Sequence, residues 1–190
     1  MFAKEMVKQS LPLLVLCGLG GIVAGNTFSS MKIILQPGSS SFIPGLIVVI
    51  PAIIALRGNI STAFGSRLGS AYHLGIIDAD NLWNEELKQN IIGSLVLSFF
   101  VSIIIGVLAY FTTLLFFDVQ PNPVKLIIIV LLAGIISAII LTMLTIGIIY
   151  LVFKRGYDPD NITGPALATF GDVITMFCIF GSAVLVEVVL

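Results

Sequence analysis

The chain has 190 residues, of which 58% are hydrophobic and 10% are charged, and its formal net charge is −1. Soluble domains usually carry about 25% charged residues, so this chain could not cover its apolar surface in water. Near-neutral charge excludes a nucleic-acid partner, because there is no basic patch to neutralise phosphates. The abundance of Phe, Leu, Ile and Val excludes intrinsic disorder. The composition therefore predicts an integral membrane protein embedded in a lipid bilayer.

Five apolar runs divide the chain, and each is long enough to cross a bilayer core of about 30 Å or to begin such a crossing. The runs are continuous and do not alternate, which indicates helices and not the strands of a barrel. We therefore predict an all-α, multi-pass protein of the cell membrane, built as a single domain over residues 1–190. The predicted spans are 11–28, 42–75 with a polar cytoplasmic extension, 91–117, 126–153 and 165–190.

The Lys and Arg residues outside the spans set the expected orientation. The N-terminal tail and the connections after the second and fourth spans contain seven of them, whereas the opposite side has only Lys32 and Lys125. Since positive residues favour the cytoplasmic side, we predict a cytoplasmic N-terminus and an external C-terminus.

A polar stripe follows the apolar start of the second span. Hydropathy falls after Leu56, but the next proline is Pro121, so a long helix is predicted here. The stripe residues recur every three or four positions and share one helix face: Asn59, Thr62, Ser66, Ser70 and His73. The stripe either lines a hydrophilic path, with Asn59 deepest, or belongs to a solvated extension with Arg57 and Arg67 facing lipid headgroups.

The entry to the fifth span is also polar. Pro165 is typical of a first helical turn, with Thr163 or Gly164 as the cap. Acceptor oxygens cluster before this turn at the predicted cytoplasmic mouth, on Asp158, Asp160 and Asn161. They could contact an ion or simply cap the turn.

Asp172 is the most informative single residue. It lies seven residues after Pro165, roughly 10 Å along the helix axis. A carboxylate at that depth costs several kcal/mol unless it is paired, hydrated or bound to metal. Its face of the helix also carries Ala168, Thr169, Thr175 and Met176. The alternative is that Asp172 bonds to a neighbouring helix or to Arg57.

Two further features have plainer interpretations. Glu187 lies near the predicted outer surface, either as part of the path or as a solvated helix end. Cys17 and Cys178 lie in apolar helices without ligand-type spacing, so we interpret them as small core side chains and not as a disulfide or metal pair.

One buried carboxylate with hydroxyl, amide and carbonyl oxygens is a ligand set for a hard cation. A twofold homodimer would bring two copies of Asp172 to a common axis and so line a pore. Mg²⁺ suits such a site because it keeps several of its waters, although Ca²⁺, Mn²⁺ and Na⁺ fit the same oxygen chemistry.

Two stretches, ALRGNISTAFGSRLGSA and DPDNITGPALATFGDVITMF, resemble the signature segments of the MgtE and solute carrier family 41 divalent cation transporters. The resemblance covers essentially the whole chain and is closer to the solute carrier branch. It implies a magnesium-selective channel or transporter whose ion path runs between the second and fifth helices of two halves. The family aspartate falls on Asp172, and the family Gly-Asn pair falls on Gly58 and Asn59.

The resemblance also implies a homodimer, because eukaryotic relatives fuse two such domains and this chain contains one. MgtE members carry a cytosolic magnesium-sensing region before the membrane part. Only about ten residues precede the first span here, so we do not carry that mode of gating over to this chain. Mg²⁺ is expected as the transported ion and not as a bound cofactor.

Two other functions compete with transport. Ser66 or Ser70 could pair with His73 in an intramembrane hydrolase, although no orienting acid is near them in the sequence. Alternatively, the polar stripe could bind another protein in a non-transporting membrane subunit.

Overall fold

The computed structural model describes residues 2–77, 83–117, 119–155, 157 and 159–190, and all regular secondary structure in these ranges is helical. The helices are α1 (Phe2–Ser30), α2 (Lys32–Leu35), α3 (Leu46–His73), α4 (Glu85–Phe116), α5 (Pro123–Lys154) and α6 (Pro159–Val189). The predicted all-α class is confirmed.

Five segments within these helices are long and apolar enough to cross a membrane: Ser10–Ser30, Leu46–His73, Glu85–Phe116, Pro123–Lys154 and Ile162–Val189. They correspond in order to the five predicted spans. The chain is therefore a multi-pass membrane protein, and its orientation and its limits as a single domain stay predictions.

Side-chain caps and prolines mark where the helices begin. The Asn84 side chain accepts a hydrogen bond from the Leu87 amide at 2.9 Å at the start of α4. The Asn122 side chain similarly accepts from the Val124 amide at 3.0 Å, and Pro123 occupies the first turn of α5. Such contacts satisfy amides that have no partner within the helix.

The predicted start of the last helix is wrong. α6 begins at Pro159, and Pro165 lies inside it. Proline favours a first turn because its missing amide would be unpaired there anyway, and the more N-terminal of the two prolines takes this role. By contrast, α3 is one helix that continues through Pro51 and Gly58. The sequence predicts a long second helix here, kinked near Pro51 or loosened at Gly58, and its length is confirmed.

α6 packs against α1, α3 and α5, and in the described structure α3 and α5 likewise each pack against three other helices. α3 also packs against α4 and α5, and α4 packs against α5, whereas α1 lies at the edge of the bundle on α6. The last predicted span is therefore one of three helices at the centre of the bundle.

The buried apolar residues form two clusters. One joins the start of α3 to the end of α6 and includes Ile53 and Met176. The other, towards the end of α3, includes Phe64 and Phe153. Between the two clusters, the helices bury polar side chains: Arg57, Ser61, Ser98, Ser102, Ser137 and Thr175.

Candidate cation site between α3 and α6

Two packing contacts fix how α3 and α6 align. A Cβ added at Gly65 would lie 2.7 Å from the Leu167 side chain, and the start of α3 shares an apolar cluster with the end of α6. The helices therefore run antiparallel. Counted from the Gly65–Leu167 contact at about 1.5 Å per residue, Asp172 lies at about the level of Ile60 along the bundle.

Asp172 is half-buried in this position. The ion pairs in the described part of the chain are Lys88–Glu85 and Lys125–Glu187, so Asp172 and Arg57 are not paired in this arrangement. No hydrogen bond joins Asp172 to another described side chain either. Its carboxylate oxygens remain free to accept a ligand.

On the α3 side, the polar stripe lies at the surface of the single chain. Asn59, Ser66, Ser70 and His73 are exposed, and Thr62 is half-buried. The Thr62 hydroxyl donates to the Gly58 carbonyl at 2.8 Å, so a cation at Gly58 would share that oxygen with the hydroxyl. The free amide of Asn59 is the accessible oxygen ligand at the level of Asp172.

The predicted neighbours of Asp172 on α6 have different environments. The Thr169 hydroxyl donates to the Pro165 carbonyl at 3.1 Å, and its methyl group packs where a Cβ at Gly20 of α1 would lie. Ala168 is half-buried. Thr175 is fully buried with an unpartnered hydroxyl, and Met176 belongs to an apolar cluster. Asp172 therefore supplies the most accessible oxygens of this strip.

The outlying candidates do not gather at Asp172. Glu187 Oε2 accepts from Lys125 Nζ at 3.2 Å, so Glu187 is a partner of α5 and not only a solvated helix end. Asp158 lies outside the described residues, as do the side chains of Asp160 and Asn161. The expected cluster at the mouth therefore stays a prediction.

Sequence reasoning missed the burial of Arg57. The alternative reading of the stripe placed Arg57 and Arg67 at the headgroups; Arg67 is exposed, but Arg57 is only 1% exposed. In the sequence, Arg57 directly follows the apolar run that ends at Leu56, and this position could have indicated that its side chain is buried. Sequence reasoning also missed the buried serines of α4, which recur every fourth residue at Ser94, Ser98 and Ser102.

A single chain does not complete a metal site by itself. Within the described residues, no group of three or more His, Cys, Asp or Glu side chains could hold a metal ion. One carboxylate and one amide leave most positions around a hard cation to water or to groups from another copy.

The hydrolase hypothesis gains no geometric support. His73 makes an edge-on ring contact with Tyr72, and no hydrogen bond connects it to Ser66 or Ser70 in the described structure. The two cysteines are free thiols, as expected, and the Cys17 thiol donates to the Pro165 carbonyl at 3.3 Å.

Five apolar helices, one of which contains the half-buried carboxylate of Asp172, define a polytopic membrane protein with a candidate ion site. The family described as MgtE, divalent cation transporter, matches residues 50–182. The chain belongs to this family, whose members are transporters and not enzymes. The match covers α3 from Ile50 onwards and α6 up to Ser182, and so includes the candidate site.

Curated relatives agree with this assignment. Solute carrier family 41 member 2 of Gallus gallus is 26% identical over 178 residues, covering 90% of this chain and 30% of that protein. The Homo sapiens member 2 is 27% identical over the same length. Member 3 of Rattus norvegicus is 27% identical over 88% of this chain and 36% of that protein. The chain thus spans about a third of these relatives. No solved structure matches it significantly.

Proposed function

We propose that this chain transports divalent cations, Mg²⁺ foremost, across the membrane as a homodimer whose ion path runs between α3 and α6. The observation that carries this proposal is Asp172, a half-buried carboxylate within a span and without an ion-pair partner. Ionisable groups in spans generally mark ion pathways, because their burial without function is costly.

The exposed polar face of α3 supports a second copy. Asn59 and Ser66 lie on the surface of a membrane-spanning helix, where lipid cannot satisfy their hydrogen bonds. A twofold axis at this face would cover the stripe and bring a second carboxylate to the ion. Two carboxylates with amide oxygens and retained waters suit Mg²⁺.

Replacing Asp172 tests the proposal directly. In liposomes containing the purified protein, we expect Asp172→Ala to abolish Mg²⁺ flux, because the charge that attracts the ion is lost. Asp172→Asn preserves shape and should also weaken Mg²⁺ binding. Flux is followed with a magnesium-sensitive dye, and assembly is checked by size-exclusion chromatography with light scattering.

Glu187→Gln is the matched control, since it neutralises a carboxylate on the same helix that already has a lysine partner. This variant should retain flux. Wild-type flux in Asp172→Ala would contradict the pore role of this carboxylate. A wild-type protein that neither binds nor moves Mg²⁺ would instead favour a non-transporting subunit.

A further inference from the structure

Arg57 and Asp172 carry opposite charges on two helices that pack together, yet neither has an ion-pair partner. Arg57 is 1% exposed, and its Nε and Nη2 atoms contact no hydrogen-bond acceptor in the described structure. Buried charges in proteins are almost always paired, and a membrane span strengthens this requirement. Each of the two residues therefore lacks the oppositely charged partner that a buried charge normally has.

The two residues lie near the same level. Asp172 is level with Ile60, so Arg57 is offset by three residues, about 4.5 Å along the helix axis. An extended arginine side chain spans more than this offset. In the present arrangement the two groups do not pair, and a rotation or slide of α3 against α6 would turn the guanidinium towards the carboxylate.

The other candidate partners of Arg57 are either out of reach or already paired. A second copy could not reach it, because its own chain already buries it. Glu85 lies beside Lys88, Glu86 accepts from the Asn90 amide, and Glu187 binds Lys125. Among the described carboxylates on the helices around Arg57, Asp172 is the one without a partner.

Each charge is next to a glycine that the packing does not require. A Cβ added at Gly58 or at Gly171 would meet nothing within 4 Å, whereas one added at Gly65 would press on Leu167. Glycine lowers the cost of local bending in a helix. Local bending of the helix beside each charged residue therefore costs less than it would next to a residue with a side chain.

We infer that Arg57 is a tethered counter-ion for Asp172: it pairs with the carboxylate when the cation site is empty and withdraws when a divalent cation binds. In the structure the two residues are not paired, which is the arrangement that leaves Asp172 free to accept the cation. This inference rests on the proposed function in that Asp172 receives the cation. Because the paired state cannot bind the cation, the apparent affinity falls in proportion to the fraction of empty molecules that are unpaired.

Mg²⁺ titration of the purified protein in nanodiscs by isothermal calorimetry tests the inference. We expect Arg57→Gln to bind Mg²⁺ about tenfold more tightly than wild type, as follows if roughly nine of ten empty molecules contain the pair. Arg57→Lys keeps the charge and should bind like wild type. Unchanged or weaker binding by Arg57→Gln would overturn the inference.

A double-mutant cycle provides a second readout that needs no ion binding. Thermal stability is compared for wild type, Arg57→Gln, Asp172→Asn and the double variant, in EDTA and in saturating Mg²⁺. If the two residues pair, the effects of the two substitutions on thermal stability should be non-additive in EDTA and additive in Mg²⁺. Additivity in EDTA would contradict it.

The cycle and titration together separate the two proposals. If wild type binds Mg²⁺ through Asp172 but Arg57→Gln changes neither affinity nor coupling, only the counter-ion role fails. If wild type shows no Mg²⁺ binding, or Asp172→Asn binds as wild type does, the proposed cation site itself fails.

Discussion

At the scale of single residues, the hydroxyl side chains inside the spans divide into two groups. Several donate to the carbonyl four residues earlier, as Ser137 does to Ala133 at 2.6 Å and Thr145 does to Leu141 at 2.7 Å. A helix in lipid can satisfy its own polar side chains in this way. Thr175 and Ser182 are buried without any such bond, so each leaves a hydroxyl unsatisfied.

Thr175→Val should therefore raise stability. The substitution keeps the shape of a fully buried side chain and removes an unpartnered hydroxyl whose burial costs about 1–3 kcal/mol. Thr145→Val is the control, because it removes a hydroxyl that has an acceptor. Thermal unfolding in detergent would be measured for both, and a lower melting temperature for Thr175→Val than for wild type would show that its hydroxyl has a partner.

At the scale of helices, close approach depends on small residues that face one another. Gly134 of α5 lies against Ser102 of α4: a Cβ at Gly134 would lie 2.9 Å from the Ser102 Cβ. The buried serines of α4 thus serve packing, since small residues allow helix backbones to approach in a membrane. Gly18, Gly21 and Gly25 of α1, by contrast, have nothing near an added Cβ.

Gly134→Ala should loosen the α4–α5 contact and destabilise the protein by about 1–3 kcal/mol, the usual range for an overpacked core. Ser102→Gly in the same chain should restore most of the loss by removing the opposing side chain. Gly147→Ala, also on α5 but with open space around it, serves as the control. Equal melting temperatures for Gly134→Ala and Gly147→Ala would mean that the helices do not meet as described.

At the scale of the whole molecule, a single chain leaves polar groups of its spans uncovered. Asp172 has no ion-pair partner, the α3 stripe is exposed, and the described residues contain no ready metal cluster. These features are consistent with the proposed homodimer, in which each copy covers the polar face of the other.

The homodimer predicts which surfaces come together. In a variant with Cys17 and Cys178 replaced by alanine, Asn59→Cys should give an intermolecular disulfide on mild oxidation in membranes. Met143→Cys, which is exposed on α5, should not. Dimer bands on non-reducing gels report the result. Cross-linking at Met143 but not at Asn59 would place the interface elsewhere.

The sequence by itself determined the membrane class, the five spans, the approximate helix limits and the depth of Asp172. These properties follow from the local match between apolar length and bilayer thickness and from the cost of a charge in lipid. The signature stretches around Gly58 and Asp172 likewise suggested the transporter family, which the match over residues 50–182 established.

Only the tertiary structure decided which charges are paired. It buried Arg57 away from the headgroups, joined Glu187 to Lys125 and left Asp172 unpaired. The composition of a helix does not specify these outcomes, because they depend on which helices meet and in what register. The scarce charge that first identified a membrane protein thus gained its functional meaning from the packing of α6 against α3 and α5.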